Sequence, residues 1–179
     1  GSGLGPNASS VDANRTLIAN AWQITLGGTG TVLYDETHGQ ARTLASNYSD
    51  LESAAEGRGF DVQALTSDFV GSLDDADAVM IATTDGDVAD AGGFSDAERS
   101  ALADFVADGG AVFLHGTASF GGTSNGVLNG VLDELGAAFR FNFDQVTDDE
   151  SNGGDFFIPQ TSNFNDDGFP DLFLAEGEL

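Results

Sequence analysis

The chain has 179 residues, 40% of them apolar, enough to bury one core and few for two full domains. Thirty carboxylates against five cations give a net charge of −25, which argues against the cationic stripe that nucleic-acid binding requires. There is no cysteine, hence no disulfide, thiolate nucleophile or Cys metal site, and no apolar run reaches the roughly 18 residues of a membrane span.

Residues 1–10, opening Gly1-Ser2-Gly3-Leu4-Gly5, read as a cloning scar and linker, and residues 11–179 as a single α/β domain. Leu17, Ile18, Ala21 and Trp22 recur at helical spacing and predict a helix over 11–24, ended by Gly27-Gly28-Thr29-Gly30. A short β run over 31–34 follows. Ala41, Leu44, Ala45, Tyr48, Leu51, Ala54 and Ala55 then mark one face of a helix that Gly57 and Gly59 stop. A second strand is expected over 60–65 and a short helical turn near 68–73. The run Ala78-Val79-Met80-Ile81-Ala82-Thr83 is apolar without alternation, which implies a strand buried on both faces, as in a parallel sheet.

Ser95-Asp96-Ala97-Glu98 has the spacing of a capping box, so a helix starts there and runs to Gly109-Gly110. A fourth strand over 111–114 follows at once. Val127, Leu128, Val131, Leu132 and Leu135 then define a helix closed by Gly136, and a fifth strand is expected over 138–143. Five strands alternating with helices predict a flavodoxin-like, doubly wound, mostly parallel sheet of order 2-1-3-4-5. Residues 144–179 turn acidic and rich in Asn and Gly, with short aromatic runs, and read as an irregular or β extension. The chain stops without a polar tail, as a domain cut from a longer protein would.

In such a sheet the loops at the carboxyl ends of the strands are the expected binding surface. They carry Asp35, Glu36 and His38, then Thr83, Thr84 and Asp85, then His115, Thr117 and Ser119. These suit acid–base work, a carboxylate–histidine metal site or a polar ligand pocket, and equally the capping of loops. Both histidines of the chain would converge there. Ser119 is no nucleophile elbow, because Thr117 stands where the G-x-S-x-G pattern needs glycine. Gly27 to Gly30 precedes a strand instead of following one, so it is no phosphate-binding loop. Asn163, Asn165, Asp167 and Asp171, around Gly168, have the spacing of the calcium loops of integrin-type repeats. A solvated turn in an Asp-rich chain would look the same.

The acids are 22 Asp and 8 Glu, and all five cations are Arg. Lysine exposes a long apolar stem, whereas short hydrated carboxylates keep a surface wet in concentrated salt. This bias points to a halophile, foremost a haloarchaeon. Sequons at Asn7, Asn14 and Asn47 fit a cell-surface or extracellular location, with the cytoplasm of a salt-accumulating organism as the alternative.

The runs Val32-Leu33-Tyr34-Asp35-Glu36-Thr37-His38-Gly39 and Phe105-Val106-Ala107-Asp108-Gly109-Gly110-Ala111-Val112-Phe113-Leu114-His115-Gly116 resemble the class I glutamine amidotransferase-like superfamily. Within it they look closest to ThuA-like domains and the related domains of gliding-motility and intraflagellar-transport proteins. The resemblance covers residues about 30 to 143 and implies the flavodoxin-like sheet. The segment Phe139-Arg140-Phe141-Asn142-Phe143-Asp144-Gln145-Val146, with Asn163-Phe164-Asn165, is similar to secreted multidomain haloarchaeal proteins, some with nuclease or phosphoesterase modules. The family's enzymes place a cysteine after the fourth strand, where this chain has His115-Gly116-Thr117, so the resemblance implies the non-catalytic branch. The function expected is an extracellular accessory domain that binds a protein, glycan or small polar ligand and needs no cofactor. The alternative is a hydrolase or metal-dependent enzyme using His38 and His115, with Asp35, Glu36 or Asp85 as partner carboxylates.

Overall fold

The computed structural model describes residues 11–40, 43–82, 93–116, 123–142, 147 and 149–150. Helix α1 (Val11–Leu26) leads into β1 (Gly30–Asp35) through Gly27 and Gly28, whose φ angles of 75° and 111° make the reversal that a side chain would strain. Two short helices follow, α2 (Leu44–Asn47) and α3 (Ser49–Glu56), and then β2 (Phe60–Leu65). The single helix expected here is divided at Tyr48, whose φ and ψ of −125° and 13° leave the helical region. Tyr48 still belongs to the buried stripe, its ring centroid 5.3 Å from that of Tyr34.

Asp68 adopts a left-handed conformation and accepts from the Gly71 backbone N–H, starting α4 (Phe69–Ser72), which a 3-10 turn at Leu73–Asp75 extends. Then come β3 (Ala78–Ala82), α5 (Asp96–Ala107), β4 (Ala111–His115) and α6 (Thr123–Glu134). The capping box at α5 forms as the spacing predicts: Ser95 Oγ accepts from Glu98 N–H, and Glu98 Oε2 accepts from Ser95 N–H at 2.7 Å.

The four strands pair in parallel in the order β2-β1-β3-β4. All five residues of β3 are buried, which accounts for its unbroken apolar run. One face of the sheet, with Val32, Tyr34, Ala78, Met80 and Ala82, packs against Trp22 of α1 and Leu51 and Ala55 of α3. Leu33, Val79 and Ile81 on the other face pack against Phe69 of α4, Leu102 of α5 and Leu128 and Val131 of α6. Strand pleating divides consecutive residues between these two cores, and that division positions the polar residues at the strand ends.

The expected fifth strand is absent from the described residues, in which 138–142 have no regular secondary structure. Their backbone groups are used otherwise. Asn129 of α6 accepts from Phe141 N–H at 2.8 Å and donates to Phe141 O at 2.9 Å, and Asn125 donates to Asn142 O at 2.9 Å. The Asn129 amide thus engages both backbone groups of Phe141. The expected β extension beyond 144 lies outside the described residues, apart from 147 and 149–150, none of which is in a strand. Among the described residues no helix is long and apolar enough to cross a membrane.

Candidate functional site

Asp35 ends β1 in register with Leu65 of β2, which belongs to the second core, and its side chain is fully buried. A carboxylate at that depth is tolerable only if its oxygens are satisfied. The following loop supplies the donors. Oδ1 accepts from the Thr37 backbone N–H at 2.9 Å and from the Thr37 hydroxyl at 2.7 Å. Oδ2 lies 2.8 Å from His38 Nδ1 and accepts from Gln40 Nε2 at 2.6 Å. Gln40 Oε1 accepts in turn from His38 N–H at 3.2 Å, and Gly39, at φ 61°, allows the loop to close on itself.

The His38 ring is only 6% exposed. It stacks on Phe94 with centroids 3.7 Å apart and meets the edge of Phe69 at 5.1 Å. Its second nitrogen, Nε2, is 3.4 Å from Glu98 Oε1. Burial alone would push the His38 pKa down, but the hydrogen bond and charge of Asp35, joined by Glu98, outweigh it and raise the net value. Burial likewise works against the Glu98 carboxylate, yet the Ser95 hydrogen bonds and His38 hold its pKa below the usual range.

Geometry points in the same direction as the raised His38 pKa. A neutral imidazole carries one N–H; here Nδ1 lies 2.8 Å from Asp35 Oδ2 and 2.9 Å from the Thr37 hydroxyl, and Nε2 faces Glu98 Oε1 at 3.4 Å, so the imidazolium is the form that serves both carboxylates at once. In its protonated form the ring has no lone pair for a proton or a metal.

Of the sequence-predicted residues, Asp35 and His38 are brought together and Glu36 is turned away. Glu36 Oε1 accepts from Leu44 N–H at 2.7 Å and so caps the first turn of α2. His115 is placed elsewhere. It pairs in register with Ala82, which packs in the first core, whereas Asp35 and the Phe69 and Phe94 rings around His38 belong to the second. Pleating therefore sends the two histidines to opposite faces of the sheet, and the expected convergence does not form. Among the described residues no group of three or more His, Asp or Glu is arranged to hold a metal ion. Thr83, Thr84, Asp85, Thr117 and Ser119, and the calcium-type residues Asn163, Asn165, Asp167 and Asp171, lie outside the described residues.

Sequence reasoning missed Thr37, Gln40, Glu98, Phe69 and Phe94 as members of the site. A signal for Glu98 existed, but the capping box accounted for it fully. In the fold its two oxygens have separate tasks, Oε2 for Ser95 and Oε1 for His38.

At the opposite end of the sheet an open groove of about 620 Å³ is floored by Leu26, Leu73 and Phe105 and rimmed by Asp74, Asp77, Asp104 and Asp108. Asp77 is already engaged there, its Oδ2 accepting from Thr31 N–H at 2.8 Å. The groove lies at the amino ends of the strands, away from the surface where open α/β sheets bind ligands.

The chain matches no protein-family model, no curated protein and no solved structure.

Proposed function

We propose that this chain is a non-catalytic accessory domain of a larger, secreted haloarchaeal protein, and that it binds a protein, glycan or small polar ligand through the loops after its strands. The observation that supports this reading is the engagement of both nitrogens of His38 by carboxylates. The histidine most exposed to suspicion as a catalyst is instead a holding group between β1 and α5. The strand order β2-β1-β3-β4 is that of the first four strands of a flavodoxin-like sheet, in keeping with the amidotransferase-like resemblance, and the absence of cysteine in these 179 residues removes the glutaminase nucleophile.

The test is a panel of glycoside, phosphoester and peptide substrates in molar salt, with and without added divalent metal, run beside binding titrations with surface glycans and proteins of a halophile. Saturable binding without turnover is expected. Turnover that His38→Ala abolishes while circular dichroism shows an intact fold would overturn the proposal and favour the hydrolase alternative.

A further inference from the structure

The loop after β1 and the amino end of α5 are distant in sequence and joined here by one ring. Asp35 holds Nδ1 from the β1 side, and Glu98 holds Nε2 from the α5 side. We infer that His38 is a proton-operated latch: protonated, it ties the β1 loop to α5, and on losing one proton it releases Glu98 while keeping Asp35.

The direction of release follows from the two partners. Asp35 is fully buried and takes three further donors, from Thr37 and Gln40, so it has no route to water and retains the last N–H of the ring. Nε2 is then a bare lone pair facing the Glu98 carboxylate at 3.4 Å, and an attraction becomes a repulsion. Glu98 can move, since it is 24% exposed and its other oxygen stays on Ser95. The capping box therefore survives, α5 does not unravel, and the change is confined to the contact between the 35–40 loop and the 93–98 segment.

The other groups packed around the ring leave this switch undisturbed. Phe69 of α4 and Phe94 before α5 are apolar, and the Asp68 carboxylate is turned to Gly71 N–H. Glu36, beside the cluster, is held at Leu44 N–H. Arg99, the cation next to Glu98, is directed to the Phe94 carbonyl and the Asp96 carboxylate. The raised His38 pKa agrees with the closed, protonated state. Both joined segments border the carboxyl ends of the strands, so the latch would control the spacing of the proposed binding surface. The inference rests on His38 as a holding group and on no particular ligand.

The experiment is a pH titration of the uniformly ¹³C,¹⁵N-labelled chain in molar salt, without any substrate, following the ring nitrogens of His38 and the carboxyl carbon of Glu98 by NMR. At pH 6 both ring nitrogens are expected to be protonated. The midpoint should lie above the ordinary histidine value of 6.5, Nδ1 should stay protonated beyond it, and the Glu98 carboxyl signal should move with the same midpoint. Glu98→Gln should shift the His38 midpoint downward and abolish the linked change in the 93–98 amide signals, and the wild-type titration decides the matter if that variant does not fold. A ring with one proton at pH 6, an Nε2–H tautomer above the midpoint, or a Glu98 signal that ignores the His38 midpoint would overturn the latch. None of these outcomes bears on turnover, so the accessory-domain reading stands or falls separately.

Discussion

Asp35→Asn preserves size and shape while removing the one charge that is fully buried in this cluster. Whichever way the amide is turned, its NH₂ confronts donors. Placed at the Oδ2 position it faces His38 Nδ1–H and Gln40 Nε2–H, and placed at the Oδ1 position it faces the Thr37 backbone N–H and hydroxyl. Two stranded donors cost about 1–3 kcal/mol each, and removing one member of a buried ion pair costs about 3–5 kcal/mol, two views of the same loss that should not be summed. A loss of about 3–5 kcal/mol is therefore expected at pH 6. At this chain length each kcal/mol moves Tm by about 2–4 °C, so the fall should be roughly 6–20 °C. Urea unfolding in molar salt, read by the fluorescence of the buried Trp22, measures it, with the exposed Asp61→Asn as a control expected within about 0.5 kcal/mol of wild type. A loss below about 1 kcal/mol for Asp35→Asn would refute the reasoning, because a buried, fourfold-bonded carboxylate cannot be neutralised that cheaply.

Stability should also depend on pH from two sides. The His38 contribution is fully present below its ordinary value of 6.5 and is lost as pH rises through its higher folded pKa, whereas the Glu98 contribution is present above 4.5 and is lost as pH falls through its lower folded pKa. Urea midpoints should thus plateau between about 4.5 and 6.5 and decline on either side, and a midpoint that climbs steadily into the alkaline range would contradict this assignment. Asn129→Asp keeps the acceptor for Phe141 N–H but loses the donor to Phe141 O, and should cost about 1 kcal/mol with faster amide exchange in the 138–142 segment; unchanged exchange would mean that Asn129 does not hold it. In Gly110→Ala the new methyl would overlap the Phe105 ring, an overpacking expected to cost about 1–3 kcal/mol, most of which Phe105→Leu in the same chain should restore.

Much of the architecture was legible because it depends on local chemistry. The unbroken apolar run at 78–82 has no polar side to present to water, so it must be a strand covered on both faces, and β3 is one. Ser95 and Glu98 satisfy each other's backbone groups within one turn, so their spacing alone locates the start of α5. The fifth strand was not legible. The apolar pattern of 138–143 looks like a strand, but the groups that decide the matter are the Asn125 and Asn129 amides on a preceding helix.

The site divides in the same way. Asp35, Thr37, His38 and Gln40 lie within one loop, and a sequence reader can expect a carboxylate at a strand end to gather the polar groups that follow it. Sequence by itself thus determined the four parallel strands and the position of this loop. Only the tertiary structure decided what His38 does, because its ring completes its bonding with Glu98 and its packing with Phe69 and Phe94, all remote in the chain. The fate of the pair of histidines was settled in the same way. Both stand at or just past strand ends, but strand register and pleat, which no spacing within one strand reveals, turn Asp35 with its histidine to one face of the sheet and His115 to the other.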